Sequence, residues 1–297
     1  MKNSHRLTAV NGVKLICVGT AAAIALRSLL MLFFFDFDTG FYTDGGWTAW
    51  LSLLLPAAAV AAAAALCHRD QESLGPWQSL RRPVLGALAA LSGALLVTSA
   101  LVMAVDFRAY LDTGASQFES VRQGANHVLY IAASFLFGAV QLAGAAGLVS
   151  GRDLFVKAPL LYVPAVLWGV ANLVMVYVFY AKFSSPVENV FSMVGAAALL
   201  LALLYLCRLF AGAGPQGAGL RLLMTGGPAV MLTVGSQTVD LAMRLSGKTY
   251  AGELPSCCQL SVLGVGLFVL AAMVSYVGHG QEEEAPRQDP AEGEHEA

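Results

Sequence analysis

The sequence predicts an all-α fold: a polytopic membrane helix bundle of about eight transmembrane helices, with the N-terminus and C-terminus both cytoplasmic. Three observations carry this reading. Hydrophobic residues make up 57% of the 297 and charged residues only 12%, with a mean hydropathy of +0.67. A soluble domain carries about 25% charged residues, so this chain lacks the polar surface to stand in water. Apolar residues gather in windows of about 20, the length that crosses a hydrocarbon core. Finally, Lys and Arg are distributed unevenly between alternate loops, which sets an orientation.

The windows are residues 13–35, 47–67, 83–105, 127–149, 158–180, 189–211, 220–243 and 256–278. They are helices because lipid offers no partner to an unpaired backbone group. The first imitates a signal peptide, with Lys2, Arg6 and Lys14 ahead of an apolar run and small residues at Thr20-Ala21-Ala22-Ala23. Its apolar run continues to Phe35, past the roughly 7–15 residues of a signal core, so it reads as an uncleaved first span. No lipobox-like triplet precedes Cys17. Pro83, Pro159, Pro186, Pro215 and Pro255 stand at or just before span starts, where a missing N–H costs nothing. Pro56, Pro164 and Pro228 lie inside spans and are expected to kink them.

With the N-terminus inside, the cytoplasmic segments hold Lys2, Arg6, Lys14, Arg69, Arg81, Arg82, Arg152, Lys157, Arg208, Arg221 and Arg287. The outer segments hold only Arg108, Arg122, Lys182, Arg244 and Lys248. The first outer loop, residues 36–46, is acidic and aromatic, and the second, residues 106–126, is the longest and long enough for a short surface helix. Residues 1–280 read as one transmembrane domain. Residues 281–297 form an acidic, proline-containing tail that buries no apolar area and is expected to be disordered.

Motif matches are few. Asp36-x-Asp38-x-Gly40 starts like a calcium loop, but positions five, six and twelve hold Gly40, Phe41 and Trp47. Asp36, Asp38 and Asp44 remain as weak candidates for a loose cation site. Asp38-Thr39-Gly40-Phe41-Tyr42 resembles a feature of uncharacterised multi-pass membrane proteins of anaerobic bacteria, a resemblance of about a dozen residues that implies no activity. Glu282-Glu283-x-x-x-Arg287 has the form of the signature of intramembrane CAAX-type proteases, yet it follows the last span, and the five histidines lie at interfaces or in tails. Five cysteines show no metal-ligand spacing, and the sequence contains no phosphate-binding loop, serine elbow or zincin motif. No cofactor is implied. The net charge of −2 and the absence of a basic stripe argue against a nucleic-acid partner.

Two features remain. Gly86, Ala90 and Gly93, and Ala139, Ala143 and Gly147, are spaced for close helix approach. The seventh window carries Gly226-Gly227-Pro228 and a polar face of Thr233, Gln237, Asp240 and Arg244 at 4-3-4 spacing. At about 1.5 Å per residue, Arg27, Asn172 and Gln237 lie roughly 21–26 Å from the cytoplasmic ends of their spans, with Asp240 just above. Intramembrane ionisable groups usually face the bundle interior or a cavity. Arg27 either snorkels outward or pairs with a carboxylate from another helix, Asp240 being nearest in depth. Asp240 and Arg244 also form an i,i+4 pair by spacing.

Arg27, Asn172, Gln237 and Asp240 are therefore the candidate binding residues. The reading is an integral protein of the bacterial inner membrane, transporting or binding a small polar or anionic solute through an outward-facing polar layer. The alternative is a non-catalytic accessory or structural subunit of a membrane complex, with another membrane protein as partner. No catalytic constellation marks an enzyme.

Overall fold

The computed structural model describes residues 2–69, 74–114, 116, 124–180, 185–250 and 253–278. Eight of its helical segments are long and apolar enough to cross a membrane. The expected disorder of residues 281–297 falls outside the described residues.

Six helices close a ring: α4 (Pro83–Thr113), α5 (Ala125–Ser150), α7 (Val163–Met175), α8 (Pro186–Phe210), α9 (Pro215–Leu245) and α10 (Ser256–Gly278), with the short α6 (Leu154–Lys157) between α5 and α7. Each packs on the next, and α10 returns to α4. Outside the ring lies an arm made of α1 (Lys2–Phe33), α2 (Trp47–Ser52) and α3 (Leu54–Arg69), seated chiefly on α9. Thus α9 touches both bodies; it is the least apolar of the spans and the most buried.

Proline explains where the helices depart from simple rods. The second span is cut at Leu53, with Pro56 in the first turn of α3. The fifth is a 3-10 turn (Pro159–Tyr162), then α7 with Pro164 in its first turn, then a π turn (Val176–Tyr180). Pro164 therefore starts a helix; it does not kink one. Pro228 sits within α9, which runs unbroken from Pro215 to Leu245. The third span extends to Thr113, absorbing the first part of the long outer loop into α4.

Close packing follows small residues, with one rotation from expectation. A Cβ on Gly93 would stand 2.8 Å from the Gly138 carbonyl, and one on Gly138 would stand 2.9 Å from that of Gly93. The face of α5 is thus Gly138 and Ala145, while Ala139 and Ala143 are exposed.

One end of the bundle carries a β-hairpin, β1 (Phe35–Asp36) paired antiparallel with β2 (Phe41–Tyr42), Phe35 opposite Tyr42. Gly40 turns it with φ of 75°, a value that favours glycine. Phe35 and Tyr42 point into a small core with Leu30, Met31, Phe191 and Val239, so the hairpin caps this end. The opposite end is closed by Trp77, Phe155, Phe210 and Tyr276.

Candidate functional site

Arg27 lies on α1 six residues before its end at Phe33 and is buried. Its partners come from two other elements, α8 and α9, and the hairpin joins through Glu188. Glu188 sits in the first turn of α8, where Ser185 Oγ accepts its N–H at 3.3 Å and Pro186 occupies the first helical position. Because Ser185 completes that cap, the carboxylate is free to turn inward. It takes Arg27 Nη2 at 2.8 Å and Nη1 at 3.2 Å, the fork geometry in which guanidinium binds carboxylate strongly. Asp240 Oδ1 of α9 takes Nη2 at 2.8 Å. Tyr42 of the hairpin donates its hydroxyl to Glu188 Oε1 at 2.5 Å. The Phe191 ring lies 5.2 Å from the guanidinium carbon.

The cluster joins the two bodies of the fold. Arg27 belongs to the arm and Tyr42 to the hairpin between its first two helices; Glu188 and Asp240 belong to the ring. Along the same seam is a cavity of about 20 Å³, lined by Ala23, Arg27, Ser52, Pro56, Phe191 and Ser236 among others. That is room for about one water. Arg27 Nε has no protein acceptor.

The expected polar layer forms only in part. Arg27 pairs with Asp240, so it does not snorkel. Gln237 is buried one turn away; its Nε2 donates to Ser236 Oγ at 3.3 Å, and its Oε1 has no partner. Thr233 and Ser236 return their hydroxyls to their own helix, at Ala229 and Leu232. Asn172 is buried on α7, which packs between α5 and α8, and no hydrogen bond or ion pair joins it to the other three. Equal depth is not proximity. Nor do Asp240 and Arg244 pair. Arg244 reaches Glu253 at 2.9 Å and Ser256 at 2.8 Å, fastening the link between α9 and α10.

Glu188 and Tyr42 are not among the residues that the sequence marks as candidates for the site. Glu188 fell one residue outside the window 189–211, yet Ser185-Pro186-Val187-Glu188 is a helix-start pattern that puts it in the first turn. Tyr42 had no comparable signal beyond hairpin alternation with Phe35.

The loose cation site does not form. Among the described residues, no three acidic, histidine or cysteine side chains stand together to hold a metal. Asp36 accepts the Thr39 hydroxyl at 2.8 Å and the Asp38 N–H at 3.0 Å, which hold its carboxyl below the usual range. Asp44 accepts backbone N–H groups of Gly46 and Thr48. No disulfide joins any of the five cysteines, Cys257 and Cys258 included.

Fold and site together define an integral, multi-pass membrane protein with a buried ion cluster between two helical bodies. No protein-family model, no curated protein and no solved structure matches the chain.

Proposed function

We propose that this protein moves a small polar solute across a membrane, with the Arg27–Glu188–Asp240 cluster as a proton-exchanging latch between arm and ring. The observation that carries the reading is a charge count: one guanidinium faces two carboxylates in a nearly dry interior. One added proton makes the cluster neutral, and its loss leaves a buried negative charge. Either change alters what holds the two bodies together. Such intramembrane groups are costly and mark ion or proton pathways. Arg27 is already paired twice, so a polar solute fits this site better than an anionic one. Tyr42, from the segment that resembles the anaerobic multi-pass proteins, places the outer hairpin as lid over the latch. The Lys and Arg bias supports cytoplasmic termini, and the short spans rich in Ala, Leu and Gly support a bacterial inner membrane.

The narrowness of the seam favours a second reading, a static clasp in an accessory subunit: the cavity admits about one water. A pH jump applied to proteoliposomes on a solid-supported electrode separates the two. Proton exchange gives a transient charge displacement that Glu188→Gln and Asp240→Asn abolish and Arg108→Gln, an exposed change, leaves intact. A folded wild-type protein that displaces no charge is a clasp.

A further inference from the structure

At the end opposite the hairpin, a cleft of about 570 Å³ opens between the start of α4 and the last turns of α10. Its size falls within the roughly 300–1,000 Å³ of small-molecule sites. The walls are apolar, with Leu88, Leu267, Leu270 and Val274 along its length, and Arg81 and Arg82 stand together at one end.

That end is built for an anion in three ways. Arg82 is only 4% exposed, yet its Nε and Nη1 have no partner; its one side-chain bond is Nη2 to the Gln78 carbonyl at 3.1 Å. Its guanidinium lies over the Trp77 ring at 3.8 Å. Burial pulls it down to about 10, against the pull of Asp153, so it is charged at neutral pH. Asp153 forms no ion pair with it; its oxygens accept the Trp77 indole N–H at 2.7 Å and the Phe155 N–H at 3.0 Å. Arg81 is exposed, with only Nε committed, to the Val149 carbonyl at 3.2 Å. Finally, the 31-residue α4 begins here with Pro83 in its first turn and no side-chain cap. Its leading N–H groups and positive dipole end face the same place.

We infer that this cleft binds one anionic phospholipid, its phosphate held by Arg81, Arg82 and the start of α4, and one of its two acyl chains lying along Leu88, Leu267, Leu270 and Val274. A soluble anion would use the arginines but leave the apolar length empty; a zwitterionic lipid would fill that length but bring its own cation to the arginines. Basic pockets between helices near the cytoplasmic face recognise acidic headgroups for this reason. The charge bias assigns this end to the cytoplasm.

The test titrates the detergent-purified protein with phosphatidylglycerol, with phosphatidylcholine of the same chains, and with inorganic phosphate, reading the melting temperature. Phosphatidylglycerol raises it and the other two do not. Arg81→Gln weakens the apparent affinity about tenfold, the scale of one charged contact. Ala271→Trp, which fills the cleft and keeps both arginines, abolishes the increment. Equal stabilisation by phosphatidylcholine, or by phosphate alone, overturns the proposal, as does an increment that survives both substitutions. The readout is lipid-dependent stability, so it stands or falls separately from charge displacement at the latch.

Discussion

Arg27→Met is the most direct probe of the latch. The substitution keeps most of the apolar stem and removes a guanidinium that makes three bonds of 2.8–3.2 Å to two carboxylates, each at most 6% exposed. A unit-charge pair near 4 Å at an effective dielectric of 20 is worth about 4 kcal/mol. Removing one partner of a buried pair costs about 3–5 kcal/mol, since the remaining charge is stranded. Two acids are stranded here, so the loss should reach at least the middle of that range, about a thousandfold in the unfolding constant. Adding Glu188→Gln and Asp240→Asn removes both stranded charges, and the triple variant is expected to regain half or more of the loss. The assay is denaturant unfolding in mixed micelles at neutral pH, read by circular dichroism for all variants. A cost under about 1 kcal/mol, within the range of a surface pair, would refute the reasoning. A triple variant no more stable than the single would refute it too, because the charges would then be uncoupled.

The remaining predictions use the same kind of measurement. Tyr42→Phe removes the hydroxyl bonded to Glu188 and is expected to cost about 1.5–3 kcal/mol, the range for hydrogen bonds to charged groups; hydrogen exchange should rise first at the hairpin. Gly138→Val pushes side-chain carbon against the Gly93 carbonyl and is expected to cost about 1–3 kcal/mol as overpacking, whereas Ala139→Val on the exposed face should change stability by less than about 0.5 kcal/mol. Asp36 is held low by the Thr39 hydroxyl and then by the Asp38 N–H. A carboxyl with a depressed folded value contributes fully above its unfolded value of about 3.9 and loses that contribution as pH falls through the folded one. Protection of the Gly40 amide, corrected for intrinsic exchange, should therefore be flat above about pH 4 and fall below it, and Asp36→Asn should remove that dependence.

How far the sequence led depended on which information each feature needed. The spans were legible because bilayer length and composition are local properties, and all eight windows overlap helices. Arg27 and Asp240 were legible as a pair because charge in an apolar run has few places to go. Asn172 stands apart for a physical reason: depth is one coordinate of three, and α7 packs on α5 and α8 while α1 packs on α3 and α9. Gly138 was missed because a helix face is set by rotation, which small-residue spacing leaves open to a shift of one position. Glu188 was legible in principle, from its helix-start pattern, and was lost to a boundary placed one residue late.

Helix α9 links these features and supplies the sharpest test of motion. Its Gly226-Gly227-Pro228 segment lies within a continuous helix, and those glycines serve packing: a Cβ on Gly226 would meet Met273 Sδ at 2.5 Å and one on Gly227 would meet Ile16 at 3.3 Å. The motion that the proposed function needs is separation of arm from ring along the seam, which requires no break in α9. A cross-link can hold that seam shut. A Cβ on Gly235 would stand 3.6 Å from Cβ of Ala23, inside the roughly 3.5–4.5 Å that a disulfide spans. Ala23→Cys with Gly235→Cys should form it on oxidation, one turn below the latch on α1. In the pH-jump assay the oxidised protein should lose its charge displacement and recover it with reductant, while each single substitution keeps it. If the cross-linked protein displaces charge as freely as the reduced one, protons reach the cluster without the seam opening. The latch would then exchange protons but move nothing, and the transport reading would fall while the ion cluster stood.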